Sequence, residues 1–277
     1  MSPGARLRSG GRWLALGLAV LASLLPFWWM MNTSLKRQVD IFGGVSLVPP
    51  HPTGENYRRL FSEYHFGPYL FNSMVVVAAV VVVSMVLGTL AAYALARFDL
   101  AFGLSRQGLV AAVLVRMIPP ILLVVPFYIV LSNLGLLDTR LGLILIYTGI
   151  NTSFVIWIMQ SFLADIPVDI EEAALVDGDS RWTAMRRVVL PLAAPGLAAT
   201  AIFSVINVYN DFLIALTLTS TPASKTVPVG ISGLIGKIQI AWGPMAAAGV
   251  VGALPILVFA VVVQRHFVRG LTMGALK

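Results

Sequence analysis

Apolar residues in this chain come in long unbroken runs, not in the alternating or one-sided patterns of half-buried strands and helices. Six stretches, residues 13–31, 70–96, 108–131, 141–163, 195–219 and 245–264, are nearly free of charge. A helix needs roughly 20 apolar residues to cross about 30 Å of hydrocarbon, and each stretch is close to that length or longer. They are apolar all round, as suits helices facing lipid and one another. Residues 75–83 are rich in valine, yet they lie inside a run too long for one strand. A membrane barrel would show short alternating segments, which this chain lacks. The expected fold is all-α, a single transmembrane domain of six helices over residues 1–277.

Composition excludes several alternatives. Of 277 residues, 58% are hydrophobic and 11% charged, whereas a soluble domain carries about a quarter charged residues. With no cysteine, disulfides, thiolate metal sites and thiol nucleophiles are all excluded. His51, His65 and His266 stand far apart and outside the apolar runs, so no histidine metal cluster is expected. The net charge of +7 has a simple source in membrane insertion, which gathers Lys and Arg in cytoplasmic loops. No basic segment is long enough to form a nucleic-acid patch.

Charge also orients the chain. Arg6, Arg8 and Arg12 precede the first run, as in a signal peptide, but the run ends in Pro26-Phe27-Trp28-Trp29 without a small-residue cleavage site. It is read as a retained helix that begins in the cytoplasm. The cytoplasmic pieces then hold Arg6, Arg8, Arg12, Arg97, Arg106, Arg181, Arg186, Arg187, Arg265, Arg269 and Lys277. The outer pieces hold only Lys36, Arg37, Arg58, Arg59, Arg140, Lys225 and Lys237. Both termini are therefore expected to be cytoplasmic.

One cytoplasmic stretch, residues 164–194, differs from everything around it. It is expected to form two short helices joined by a tight turn. Pro167 suits a first helical turn, and Asp169, Glu171 and Glu172 place negative charge at the positive end of the dipole. Gly178 can take the left-handed conformation that ends the first helix. Ser180 can cap the second, with Arg186 and Arg187 near its negative end. Pro191 and Pro195 then stop it and start the next span. An ordinary amphipathic loop would need no fixed spacing among these residues.

The spacing here matches a known pattern. Glu172-Ala173-Ala174, three residues, Gly178, nine residues, then Val188-x-Leu190-Pro191 resembles the cytoplasmic signature of binding-protein-dependent ABC importer permeases. Val188 replaces the family's usual Ile, and Asp179 stands where a small residue is commoner. Asp177 before the glycine follows the family habit. Further likeness to the smaller, six-helix permease of the maltose-type sugar branch runs along the chain. It includes Pro52 with Asn56-Tyr57 and Leu60-Phe61, Asn72-Ser73, Leu134-Gly135-Leu136-Leu137-Asp138-Thr139, and the tail Gly270-Leu271-Thr272-x-Gly274-Ala275.

The resemblance implies a type I ABC importer permease in a bacterial inner membrane, moving a sugar inward by alternating access. A polyol, glycerol phosphate or other small solute would use the same architecture. It implies as partners a second, different permease, two ATPase subunits and an extracytoplasmic substrate-binding protein, besides membrane lipid. By position, residues 164–194 would be the coupling element docking on the ATPase. Glu172 would meet a basic group there, Ala173 and Ala174 would allow close packing, Gly178 would make the turn, and Asp177, Leu190 and Pro191 complete the motif.

The residues themselves assign ATP chemistry elsewhere. Gly-x-x-x-x-Gly-Lys-Ser/Thr is absent, so ATP and Mg are expected in a partner, with no cofactor bound by this chain. No catalytic constellation is visible, since its acids lie without Cys or His partners. A secondary transporter would show repeated broken helices, and a sensor would carry a soluble domain.

Polar groups inside a span are costly and default to functional candidates. Asn207, Asn210 and Asp211, three and four residues apart, can share one face of the fifth helix. That face could line a solute path, or bond to a neighbouring helix or gate. Arg116 precedes Met117-Ile118-Pro119-Pro120, where the third helix is expected to break or kink. Arg116 could pair with a carboxylate, sit at the cytoplasmic end of its span, or meet an anionic solute. Asn151, with Thr152 and Ser153, adds a polar patch in the fourth helix. Tyr57, Phe61, Tyr64, Phe66 and Tyr69 make the first outer loop aromatic, suiting either a docking protein or a membrane interface.

Overall fold

The computed structural model describes residues 3–98, 103–236 and 240–274, with side chains described for 12–98, 103, 107–236 and 240–263. Arg6, Arg8, Arg106, Lys237, Arg265, Arg269, Lys277, His266 and the tail motif from Gly270 lie outside the described side chains. Helices are α1 (Pro3–Ser34), α2 (Gln38–Phe42), α3 (Glu55–Ser62), α4 (Gly67–Arg97), α5 (Leu104–Met117), α6 (Pro120–Asn133) and α7 (Arg140–Ala164). They continue as α8 (Val168–Val176), α9 (Arg181–Ala184), a π-turn (Met185–Val189), α10 (Leu190–Leu192) and α11 (Ala194–Asn210). Last come α12 (Leu213–Leu218), α13 (Val227–Ser232) and α14 (Trp242–Gly274). Among the described residues the only β pairing is one isolated bridge, Ile235 with Ile240.

Four helices, in α1, α4, α7 and α14, are long and apolar enough to cross a membrane, and two bent pairs raise the number to as many as six. The third and fifth expected spans are these bent pairs. Helix α5 and helix α6 are bent by 98° at Ile118-Pro119. The cause is local: a residue before proline is pushed out of the helical region. Ile118 and Pro119, each followed by proline, have ψ of 122° and 129°.

The fifth span departs from expectation. Helix α11 ends at Asn210 instead of running to 219, and Asp211 is extended, with φ −64° and ψ 127°. The Asp211 carboxylate accepts hydrogen bonds from the N–H groups of Ile214 (3.1 Å) and Ala215 (3.4 Å), starting α12 afresh. A short acid that caps backbone N–H groups competes with helix continuation. Helix α11 passes as a span only together with Arg181–Leu192, from which it is bent by 74°.

The chain divides into two compact units, Met1–Gly67 with Ile231–Leu254, and Pro68–Gly230 with Pro255–Lys277. In the first, Asn56 donates to the carbonyls of Ser34 (2.8 Å) and Lys36 (2.7 Å). The bond to Ser34 O satisfies an acceptor that the end of α1 leaves open. The Tyr57 hydroxyl bonds the Ser34 hydroxyl at 2.7 Å. Leu60 and Phe66 are fully buried, while Phe61 is exposed. The aromatic outer segment is thus partly core, and only part of it remains a surface. None of the apolar window of α1 is covered by this chain.

In the second unit α7 is central, packing on both α5 and α11. Gly88 of α4 lies so close to α7 that a Cβ there would sit 2.6 Å from Val155. Small residues at such contacts let helix backbones approach in lipid. Ala92, Tyr93, Val155, Met159 and Leu163 form a buried cluster with Met185, Val189 and Ala193 of the segment 164–194.

Candidate functional site: a helical knuckle and a polar cavity

Residues 164–194 fold as two helical pieces around a glycine turn. Pro167 serves as the N-cap of α8, one position before the helix it was expected to occupy. The helix ends in a Schellman motif: Asp179 N–H donates to Ala174 O at 3.0 Å, and Gly178 N–H to Leu175 O at 3.1 Å. Gly178 has φ +96°, which L side chains rarely adopt, and open space around its α-carbon. The Ser180 hydroxyl accepts from Thr183 N–H at 3.2 Å, capping α9. Pro191 has no N–H to give Arg187 O. The segment before it widens into a π-turn, with Leu190 N–H bonded to Met185 O. Glu172, Ala173, Asp177, Gly178 and Pro191 are exposed, Ala174 is half-buried, and Leu190 packs on the buried cluster. The motif therefore presents a small-residue ridge flanked by two exposed acids, Glu172 and Asp177.

The neighbouring acid behaves oppositely. Glu171 is 3% exposed and ion-paired with Arg97 of α4 at 2.9 Å, and Arg97 is equally buried. The Tyr93 hydroxyl donates to the other Glu171 oxygen, and Arg97 also donates to Ile166 O at 3.0 Å. Arg97, expected only as a topology charge, and Glu171, expected only as a dipole charge, thus form one buried pair. The run Glu171-Glu172 on a short helix was the available signal, because adjacent residues on a helix point about 100° apart.

Four of the five polar path candidates meet. Arg116, Asn151, Asn207 and Asp211, with Tyr147, line one cavity of about 110 Å³ walled by Val115, Ile118 and Val208. Asn210 does not join them: it is exposed and bonds Ile206 O within its own helix at 3.0 Å. The expected single face of Asn207, Asn210 and Asp211 is thus broken at Asn210, the last residue of α11, which bonds back to its own helix while Asn207 and Asp211 line the cavity. Asn151 is buried and donates to the Ser84 hydroxyl at 2.6 Å, tying α7 to α4. The Tyr147 hydroxyl donates to Asp211 at 2.7 Å. Arg116 is exposed, with its guanidinium 5.0 Å from the Phe154 ring centre, a cation–π contact. Such a cavity holds a few waters and is well below the roughly 300–1,000 Å³ of a complete ligand site.

Two of the motif segments turn out to strap one loop. Asp138, at φ +57°, accepts from the N–H groups of Ser220 (2.8 Å) and Thr221 (3.0 Å) and from the Ser224 hydroxyl. From α4, Asn72 donates to Pro222 O and Lys225 O, and Ser73 accepts from Val227 N–H. Partial burial pushes the Asp138 carboxyl up, but the bonds from Ser224, Thr221 and Ser220 outweigh it and hold its pKa well below the ordinary range. A carboxyl so depressed contributes its full stabilisation above about pH 4 and loses it only as pH falls through the folded value. Protease resistance of residues 219–226 should accordingly be unchanged between pH 5 and 8. Asp138→Ala should lower stability by about 1–3 kcal/mol in thermal unfolding, and Asp138→Asn by less, since Asn tolerates positive φ.

Comparison with known proteins places these features in context. A family described as the inner membrane component of binding-protein-dependent transport systems matches residues 84–273, which include the knuckle and the cavity. The trehalose transport system permease protein SugB of Mycobacterium tuberculosis is 40% identical over 96% of this chain and 97% of its own. The trehalose/maltose permease protein MalG of Thermococcus litoralis is 35% identical over 94% of both. A chain in the crystal structure of a bacterial ABC transporter for the acidic polysaccharide alginate superposes with TM-score 0.80. It is 22% identical, with 96% of this chain and 99% of that one covered.

Proposed function

The chain belongs to the family of inner membrane components of binding-protein-dependent transport systems, and from that premise we propose that it is the sugar-path permease subunit of an ATP-driven importer. It works as a multi-pass protein of the bacterial inner membrane, with both termini cytoplasmic, and moves a di- or oligosaccharide inward. The observation that carries the coupling role is the knuckle around Gly178, which leaves Glu172 and Ala173 uncovered beside a buried support. A surface of that kind fits a groove on a partner. Hydrolysis of ATP with Mg belongs to two ATPase subunits, because this chain has no phosphate-binding glycine loop. The chain's contribution is differential contact in two states, which is what coupling requires.

Arg116, Asn151, Asn207 and Asp211 form this subunit's half of the solute path. Their cavity is too small for a disaccharide alone, so a second, different permease supplies the remaining wall, and a loaded binding protein delivers the sugar from outside. The carbohydrate class rests on the relatives' names, which include trehalose and trehalose/maltose systems. The test is uptake by vesicles holding the complete complex and its binding protein, across trehalose, maltose, chitobiose, polyols and glycerol phosphate. ATP-dependent accumulation of a disaccharide above all others is expected. Accumulation of glycerol phosphate or a polyol alone would refute the sugar assignment, and ATP-independent accumulation would refute the importer.

A further inference from the structure

Coupling needs more than a docking surface. Force applied to α8 by a partner has to reach a membrane-crossing helix without being absorbed by a turn. Building on the coupling reading above, we propose that Glu171, Arg97 and Tyr93 are the positioning residues that lock α8 to the end of α4, so that the two move as one body.

The contacts form a continuous ladder. Arg97 ends α4, and its guanidinium holds the Glu171 carboxylate at 2.9 Å and Ile166 O at 3.0 Å. Tyr93, one turn earlier on the same helix, donates its hydroxyl to the second carboxylate oxygen. Its ring meets Phe98 edge-on at 6.1 Å, and the Arg181 guanidinium of α9 lies 5.4 Å from the Phe98 ring centre. Both pieces of the knuckle are therefore tied to one helix end. Glu171 and Arg97 are each 3% exposed, where charge is costly unless paired, so the pair resists separation by water. Directional bonds to both carboxylate oxygens also fix orientation, which apolar packing alone does not. The Glu171-Glu172 pair divides its labour accordingly: the first acid grips its own chain, and the second stays open to a partner.

The absence of cysteine allows a direct test. Spin labels go on Val176→Cys of α8 (87% exposed) and Leu87→Cys of α4 (51% exposed). The distance between them is measured in the full complex with its ATPases, before and after MgATP. The lock predicts an unchanged, narrow distance; a shift or broadening on MgATP overturns it without any lock variant. The second arm replaces both charges together, Arg97→Leu with Glu171→Leu, which leaves no unpaired buried charge. With the lock, the double variant retains ATPase subunits and basal hydrolysis, while sugar accumulated per ATP falls about ten-fold, equivalent to about 1.4 kcal/mol. The sugar used is the disaccharide that the unaltered complex accumulates in the uptake panel. Wild-type accumulation per ATP in the double variant overturns the lock. Glu172→Gln serves as the separate control: if it retains normal ATPase binding and coupling, the docking reading fails regardless of the lock.

Discussion

Gly178→Pro is expected to abolish sugar uptake while leaving the chain inserted in the membrane. The substitution acts on backbone alone, because nothing lies within 4 Å of a Cβ built at that position. Proline fixes φ near −65°, whereas the turn requires +96°. It also removes the N–H that Gly178 gives to Leu175 O. Preceding Asp177 is forced toward an extended conformation as well, though it now sits at ψ 0°. A local cost of about 3 kcal/mol or more follows, enough to unwind the Schellman turn and redirect α9 relative to α8. The spans themselves do not depend on this turn, so membrane insertion and total protein should be normal. Retention of the ATPase subunits and substrate-stimulated hydrolysis should fall by two orders of magnitude or thereabouts, as about 3 kcal/mol implies. Gly178→Ala, strained by φ alone at about 1–2 kcal/mol, should fall between. Normal stimulated hydrolysis and uptake in Gly178→Pro would remove the knuckle from the coupling mechanism.

Most of the spans were legible because the signal is thermodynamic and local. The runs 70–96 and 141–163 appear as α4 and α7 within a few residues, since hydrocarbon leaves a backbone no partner except its own helix. The break after Arg116 was equally legible, for Pro119-Pro120 acts on its immediate neighbours. The Gly178 turn and the Ser180 cap belong to the same class.

What sequence could not resolve depends on partners far along the chain. Asn72 and Ser73 read as a motif without a reason until the loop around Pro222 was seen bonded to them. Asn56 likewise closes the end of α1 from 20 or more residues away. Glu171 and Glu172 are chemically identical and adjacent, and only the packing of α8 over Arg97 distinguishes a gripping acid from an open one. The fifth helix is expected to run to 219, and it stops before Asp211. A helical wheel assumes that the helix continues, and an acid able to bond the next turn's N–H groups removes that assumption.

Asp211 is also where the second large effect is expected. Its carboxylate holds the Tyr147 hydroxyl at 2.7 Å and the N–H groups of Ile214 and Ala215. It therefore joins the α11–α12 break to α7, beside the cavity that contains Arg116 and Asn207. Asp211→Ala leaves a buried tyrosine hydroxyl and the first turn of α12 without their acceptor. An unpaired buried polar group costs about 1–3 kcal/mol and a lost cap about 1 kcal/mol more. Thermal stability in detergent should drop, and uptake should fall by roughly two orders of magnitude if the same loss is felt in the transport cycle. Asp211→Asn separates geometry from charge. The amide oxygen can still accept from Tyr147 and from the backbone, so stability should remain within about 1 kcal/mol and uptake within about three-fold. If Asp211→Asn instead folds as stably as wild type but loses uptake as completely as Asp211→Ala, the acid acts through its charge and not through the hydrogen bonds that join α12 to α7.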